Sequence, residues 1–371
     1  MANSLFNCLP GHPLHLFSTL STNYGLAYTC EDFYTCLVSA GSLQNLITPG
    51  HRLDCIIIER RGPPYSPSDP FLPTLLAALA EHKDIKTLKV VGVRWSDFPY
   101  PDLWYASVTE FHNITYLNLT ETSLRADEFC CLVRSFPLLQ MLDVQCCSIF
   151  PGLGMTNQLG PAILYLVLNV KEDSDILDIF THRYNVCSPV SFDRLYKLEI
   201  SGKGGRDIGQ QISRLVDASW PRELIIDCMD FDLAHAPRIV GLSKTEKLTI
   251  TIPLNAENGF RRTNDCLRWW TSTLERVPQR NKFAEIRIKI VVDQPSVTHY
   301  LSGGIPMPWT HFDEALSDKK FKLKGSFGIT FLRQQDTSST FEIQPYDYWM
   351  RLYALAKSFK HHLGSGHQRH M

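Results

Sequence analysis

The sequence predicts an α/β solenoid, an irregular horseshoe with a parallel sheet on the concave face and helices on the convex face. Three observations predict it. A short apolar signature, Φ-x-x-Φ-x-Φ with Φ apolar, returns along most of the 371 residues. From Leu88 through Leu117, Leu142, Leu166, Leu198, Leu224 and Leu248, its middle residues fall 24 to 32 positions apart. Stretches with helical apolar spacing lie between the copies, so each repeat reads as strand, turn and helix, and can bury its apolar face only against the next.

Clear copies occur at Leu53/Ile56/Ile58, Ile85/Leu88/Val90, Ile114/Leu117/Leu119, Leu139/Leu142/Val144, Ile163/Leu166/Leu168, Leu195/Leu198/Ile200 and Phe283/Ile286/Ile288. Weaker ones centre on Leu224/Ile226 and Leu248/Ile250. Period-two alternation through each copy argues for a short strand whose anchors share one face. The fuller leucine-rich-repeat pattern, L-x-x-L-x-L-x-x-N/C-x-L, is matched at every position by Leu139, Leu142, Val144, Cys147 and Ile149. There the thiol is expected to bond backbone in the turn leaving the strand. Thr122 and Val93 hold that site in the two preceding copies, and this substitution makes the solenoid leucine-rich-repeat-like and irregular.

Helices are expected over Glu128 to Phe136, stopped by Pro137, over Ile176 to Phe180 behind Asp173 and Ser174, and over Ile208 to Val216 after Asp207. A longer one, from about Asn264 to Val277 with Leu267, Trp270 and Leu274 on one face, fills the gap between Leu248 and Ile286. A last helix-strand unit runs from Phe312 to Leu332. Pro63, Pro64, Pro67, Pro70 and Pro73 make residues 60–73 an extended loop, and Gly303, Gly304, Pro306 and Pro308 make 294–308 a mobile segment. The organisation is therefore an N-terminal segment over 1–50, either a repeat cap or the segment that the resemblance given below would make it, a solenoid over 51–335, and a C-terminal helix and flexible tail over 336–371.

Charge is balanced, 37 Lys+Arg against 38 Asp+Glu, so no global field favours nucleic acid or an anionic membrane. The eleven cysteines are odd in number, and the adjacent pairs Cys130/Cys131 and Cys146/Cys147 cannot each chelate one metal, because neighbouring side chains diverge. They read as buried thiols of a cytoplasmic or nuclear protein. No apolar run is long enough for a signal peptide or membrane span, and the triplets Asn113 to Thr115 and Asn118 to Thr120 are then inert as glycosylation sites. Gly202, Gly204 and Gly205 read as a turn, with an anion-binding nest as the alternative. The tail histidines His361, His362, His367 and His370 read as adventitious metal binders at most.

No catalytic signature is present: no G-x-S-x-G elbow, phosphate loop, H-E-x-x-H or kinase set. The expectation is a non-enzymatic protein without cofactor or metal. The alternative is a scaffold with a cryptic hydrolase or transferase site, which would need a deep polar pocket holding nucleophile, base and oxyanion donors. The positive signal lies on the strand residues that flank the anchors and face the concave side. Lys89, Tyr116, Asn118, Met141, Asp143, Tyr165, Val167 and Glu199 are the candidate protein-binding residues, with Tyr116, Met141 and Tyr165 expected side by side as an apolar-aromatic column.

Val108 to Val144, Cys266 to Ile288 and Trp309 to Leu316 resemble the leucine-rich-repeat region of F-box proteins, particularly the divergent families of mushroom-forming fungi. Leu9-Pro10 to Leu20 resembles the opening of an F-box in degenerate form, since Pro13 interrupts its first helix and no Leu-Val-Cys-x-x-Trp ending follows. The resemblance implies a substrate-recognition subunit of a ubiquitin ligase, with two protein partners, a Skp1-type adaptor and a substrate held by the repeats. It would make 1–50 a degenerate F-box-like segment in place of a repeat cap. Lys89, Lys197 and Arg287 mixed with Asp143, Glu199 and Asp227 on the strand faces argue against a nucleic acid partner, and the lack of a membrane-length apolar run against a membrane one.

Overall fold

A computed structural model describes residues 16–18, 24–29, 53–59, 76–77, 80, 85–94, 101–152, 160–172, 174–181, 188–205, 207–254, 260–277, 283–292, 307–317 and 326–333. The fold is mixed α/β with mostly parallel strands. By its contacts the chain divides into two compact units, Met1–Arg194 and Leu195–Met371. Each is built by the same local logic.

In the first unit the order is β1 (Leu16–Ser18), β2 (Tyr24–Thr29), β3 (Leu53–Glu59), β4 (Thr87–Val91), α1 (Pro101–Thr109), β5 (Tyr116–Thr120), β6 (Ser123–Arg125), α2 (Ala126–Arg134), β7 (Met141–Gln145), β8 (Ser148–Phe150), β9 (Tyr165–Val170) and α3 (Ile176–Phe180). Strands β2, β3, β4, β5, β7 and β9 pair in parallel, and β1 adds an antiparallel strand on β2. The register aligns the anchors into two buried rows, Ile56-Leu88-Leu117-Leu142-Leu166 and Ile58-Val90-Leu119-Val144-Leu168. A one-residue slip would turn both rows to the open face, so burial itself fixes the register.

The turn leaving each strand repeats as well. Gly92, Glu121 and Cys146 all adopt left-handed backbone, φ 68°, 51° and 52°, one residue before the Val93, Thr122 and Cys147 site. Each donates its N–H to the neighbouring repeat, Gly92 to Thr120 O, Glu121 to Gln145 O and Cys146 to Asn169 O. The buried Thr122 hydroxyl donates to Val90 O at 3.2 Å, and the Cys147 thiol to Leu119 O at 3.3 Å. The expected backbone bond at this site is thus made by a hydroxyl in one repeat and a thiol in the next. Past the turn, β6 and β8 form a second parallel ladder, which Arg94 joins through a bridge to Ser123.

Helices cover the anchor side. In α2 the buried face is Phe129, Cys130, Leu132 and Val133, and Phe129 meets Phe180 of α3 edge-on at 6.0 Å. The Glu128 carboxylate accepts the Arg125 N–H at 2.8 Å, satisfying one donor that the helix start would leave open. Helix α1 has no counterpart among the expected elements; Pro101 and Asp102 suit its first turn, but its apolar spacing is weak.

The second unit runs β10 (Lys197–Gly204), α4 (Ile208–Ser219), β11 (Glu223–Asp227), β12 (Asp230–Phe231), a 3-10 turn (Gly241–Lys244), β13 (Lys247–Leu254), α5 (Arg261–Leu274), β14 (Glu285–Val292), α6 (Met307–Ser317) and β15 (Ser326–Arg333). Strands β10, β11, β13, β14 and β15 are parallel, with the row Leu198-Leu224-Leu248-Ile286 buried. On the entry side of β13, where Ile114 and Leu139 stand ahead of β5 and β7, the buried Thr245 hydroxyl donates to Pro221 O at 3.0 Å. The Asp217 carboxylate of α4 accepts the N–H groups of Val240 and Gly241, and a Cβ on Gly241 would lie 2.7 Å from Asp217 Cα, so glycine permits this close approach.

Several expectations are corrected. Gly202 to Gly204 continue β10, where Lys203 and Gly204 pair with Asp230 and Phe231, rather than forming a turn; Gly202 absorbs the bend at φ 107°. Cys130 and Cys147 are buried but Cys131 and Cys146 are exposed, as adjacent positions on a helix or turn must diverge. Met307 and Pro308 belong to α6, proline being tolerated in a first turn. The rest of 294–308, the loop 60–73 and the tail 336–371 lie outside the described residues. Within 1–50, Leu16–Ser18 and Tyr24–Thr29 are strands.

Candidate functional site

With the anchors buried, the alternate residues of each strand form the opposite, open face of the sheet. In the first unit the register sets Thr87, Tyr116, Met141 and Tyr165 in one row, Lys89, Asn118, Asp143 and Val167 in the next, and Val91, Thr120, Gln145 and Asn169 in a third. Tyr116, Met141 and Tyr165 are therefore immediate neighbours, with Tyr165 the most open of them at 38% exposure.

The middle of this face is a hydrogen-bonded cluster. Asp143 Oδ2 accepts from the Tyr116 hydroxyl at 3.1 Å and from Asn118 Nδ2 at 2.8 Å, while Oδ1 accepts from Gln145 Nε2 at 2.5 Å. Asn118 Oδ1 in turn accepts the Thr120 hydroxyl at 3.0 Å. Burial first, and then the Asp143 charge, push the Tyr116 phenol from 10.0 to about 12, so it stays a hydrogen-bond donor throughout the physiological range.

Asn118 departs from the expectation of an accessible residue: it is only 9% exposed, held between Asp143 and Thr120. Gln145 and Thr120, which strand alternation also turns to the open face, complete the cluster. Lys89 and Val167 close the row at its two ends.

Glu199 belongs to the second unit and a different kind of face. Lys197, Glu223, Lys247 and Glu285 stand in one row with alternating sign. Lys197 meets Glu199 at 2.8 Å, Lys247 meets Glu223 at 3.8 Å, and Arg287 meets Glu285 at 2.6 Å. Burial raises the Asp227 carboxyl above its ordinary range, against the Met229 N–H at 3.2 Å and the Lys289 charge, which lower it.

A broad groove of about 580 Å³ in the first unit is lined by Ala77, Ala80, Ala106, Ser107, Glu110 and His112. Its serine hydroxyl donates to Leu103 O at 2.8 Å, and its histidine faces Glu110 at 3.9 Å with both side chains largely exposed. That hydroxyl is given to a backbone carbonyl rather than to a base. The buried thiols Cys130 and Cys147 are both pushed up to about 12 by desolvation, which removes the thiolate a nucleophile needs. Among the described residues no group of three or more His, Cys, Asp or Glu is placed to hold a metal, and no helix is long and apolar enough to cross a membrane.

Compared with known proteins, the chain matches no protein-family model and no curated protein.

Proposed function

We propose that this chain is a non-catalytic, leucine-rich-repeat-like solenoid that binds another protein on the open face of its first unit, in the manner of a substrate-recognition subunit of an F-box ubiquitin ligase. One observation carries the binding reading: Tyr116, Met141 and Tyr165 stand side by side on an open sheet face, beside a pre-ordered cluster centred on Asp143. Aromatic and thioether side chains on a rigid sheet give large contact area at small entropic cost, and neighbouring polar groups fixed in advance add direction. The repeated turns at Gly92, Glu121 and Cys146 support the solenoid, since each unit of chain hands its N–H to the next. The free thiols support a cytoplasmic or nuclear setting. The ligase role rests on the resemblance of Val108 to Val144 and of the segment opening at Leu9.

The test is an affinity pull-down from native lysate with wild type and a Tyr116→Ala/Met141→Ala/Tyr165→Ala variant, scored for a Skp1-type adaptor and for other proteins. The expected result is adaptor with both baits and a second protein lost only with the variant. Absence of adaptor from both would remove the ligase role and leave a repeat protein that binds on this face. An identical set of proteins on both baits would remove the face.

A further inference from the structure

We infer that the open face of the first unit selects a cationic side chain, arginine or lysine, presented by a protein partner; this rests on the reading of that face as protein-binding. Asp143 is the centre of the argument. Its three donors, the Tyr116 hydroxyl, the Asn118 amide and the Gln145 amide, are all neutral. They orient the carboxylate and offset its desolvation, and none of them brings a positive charge. Among the described residues no lysine or arginine forms an ion pair with it. In the first unit's rows the nearest cation is Lys89, two strands away, or roughly 10 Å at the usual strand spacing.

The second unit's face contrasts with this: Glu199, Glu223 and Glu285 each have a cation within 4.0 Å, and Asp227, which has none so close among the described residues, still feels the charge of Lys289. The Asp143 cluster is ordered without being neutralised. A carboxylate has about four acceptor positions, and three are used here, so one remains for an incoming donor. The adjoining row supplies what an arginine or lysine needs besides charge. Tyr116 and Tyr165 bring aromatic rings, whose faces attract cations, and Met141 between them offers apolar surface for a methylene stem. An acidic side chain or a phosphate would meet an uncompensated like charge and be rejected.

The test selects peptides from a random heptapeptide display library on the purified full-length chain, and then measures the winners on wild type, Asp143→Asn and the Tyr116/Met141/Tyr165 triple alanine variant. The expected winners carry arginine or lysine at one position. They should bind Asp143→Asn roughly tenfold or more weakly. Replacing that arginine with neutral citrulline should cost the same on wild type and nothing further on Asp143→Asn. The wild-type half of the citrulline arm decides even if Asp143→Asn is unstable. Winners that lose affinity on the triple variant but show no basic preference, or tolerate citrulline, would overturn the cation and leave the face intact. Winners that bind the triple variant as well as wild type, or no winners at all, would overturn the face and the cation together.

Discussion

The two units use the same strand pattern and the same buried rows, and differ on the face those rows leave open. In the first, neutral donors converge on one carboxylate beside an aromatic row; in the second, lysines, arginines and glutamates alternate and pair among themselves. Exposed ion pairs of the second kind satisfy one another and contribute little to stability, typically below about 1 kcal/mol each. A single half-buried carboxylate with only neutral partners is an unfinished arrangement by comparison. Folding a repeat therefore constrains the anchors tightly and the face hardly at all, which leaves the face able to specialise in one unit and to be merely solvated in the other.

The largest effects should be blind to this difference. Leu142 and Leu248 are fully buried anchors of the first and second units. Replacing either with alanine should cost about 2 to 5 kcal/mol, the usual range for a core leucine. Urea unfolding of the two variants should give losses of similar size. A large cost for one and none for the other would mean that the units are not equivalent scaffolds, and the comparison of their faces would lose its footing.

Next in size are the turn hydroxyls. Thr122→Val and Thr245→Val keep the shape and remove the donor to Val90 O and Pro221 O, in each case inside a buried turn. An unsatisfied buried acceptor costs about 1 to 3 kcal/mol. Thr→Ser at either site keeps the hydroxyl and should recover most of it, as read by thermal unfolding. Thr122 stands on the exit side of β5 and Thr245 on the entry side of β13, so valine tolerated at one and not at the other would show which side of a strand depends on its hydroxyl.

How much of this was legible in the sequence divides along the same line. Strand positions were, because a period of two and a repeat near 25 residues act together, and even the weak copies at Leu224 and Leu248 are strands. The membership of the open face follows from the same period. Elements made by the backbone rather than by apolar pattern were not. The left-handed turns at Glu121 and Cys146 fall on residues other than glycine, β6 and β8 are only three residues long, and α1 has too little periodicity to announce itself. Within the site, the row of Tyr116, Met141 and Tyr165 could be read by assuming aligned strands. The burial of Asn118 and the convergence of three donors on Asp143 could not, because side-chain reach and rotamer decide them.

The smallest expected effects bear most directly on the contrast. The Tyr116 phenol is raised to about 12 by burial and by Asp143, so the stability it contributes is complete below 10.0 and is lost as pH climbs through about 12. Asp143→Asn removes the charge and narrows that window from above. Stability measured between those limits should therefore fall less in the variant than in wild type, and an equal fall would show that burial alone sets the phenol. For the second unit, Glu223→Gln breaks the pair with Lys247, whose side chain is 43% exposed, and should cost well under about 1 kcal/mol. That loss should vanish at roughly 1 M salt, where screening acts within about 3 Å. A salt-insensitive loss would mean that Glu223 acts through packing, and the charged row would then be part of the scaffold rather than a solvated surface upon it.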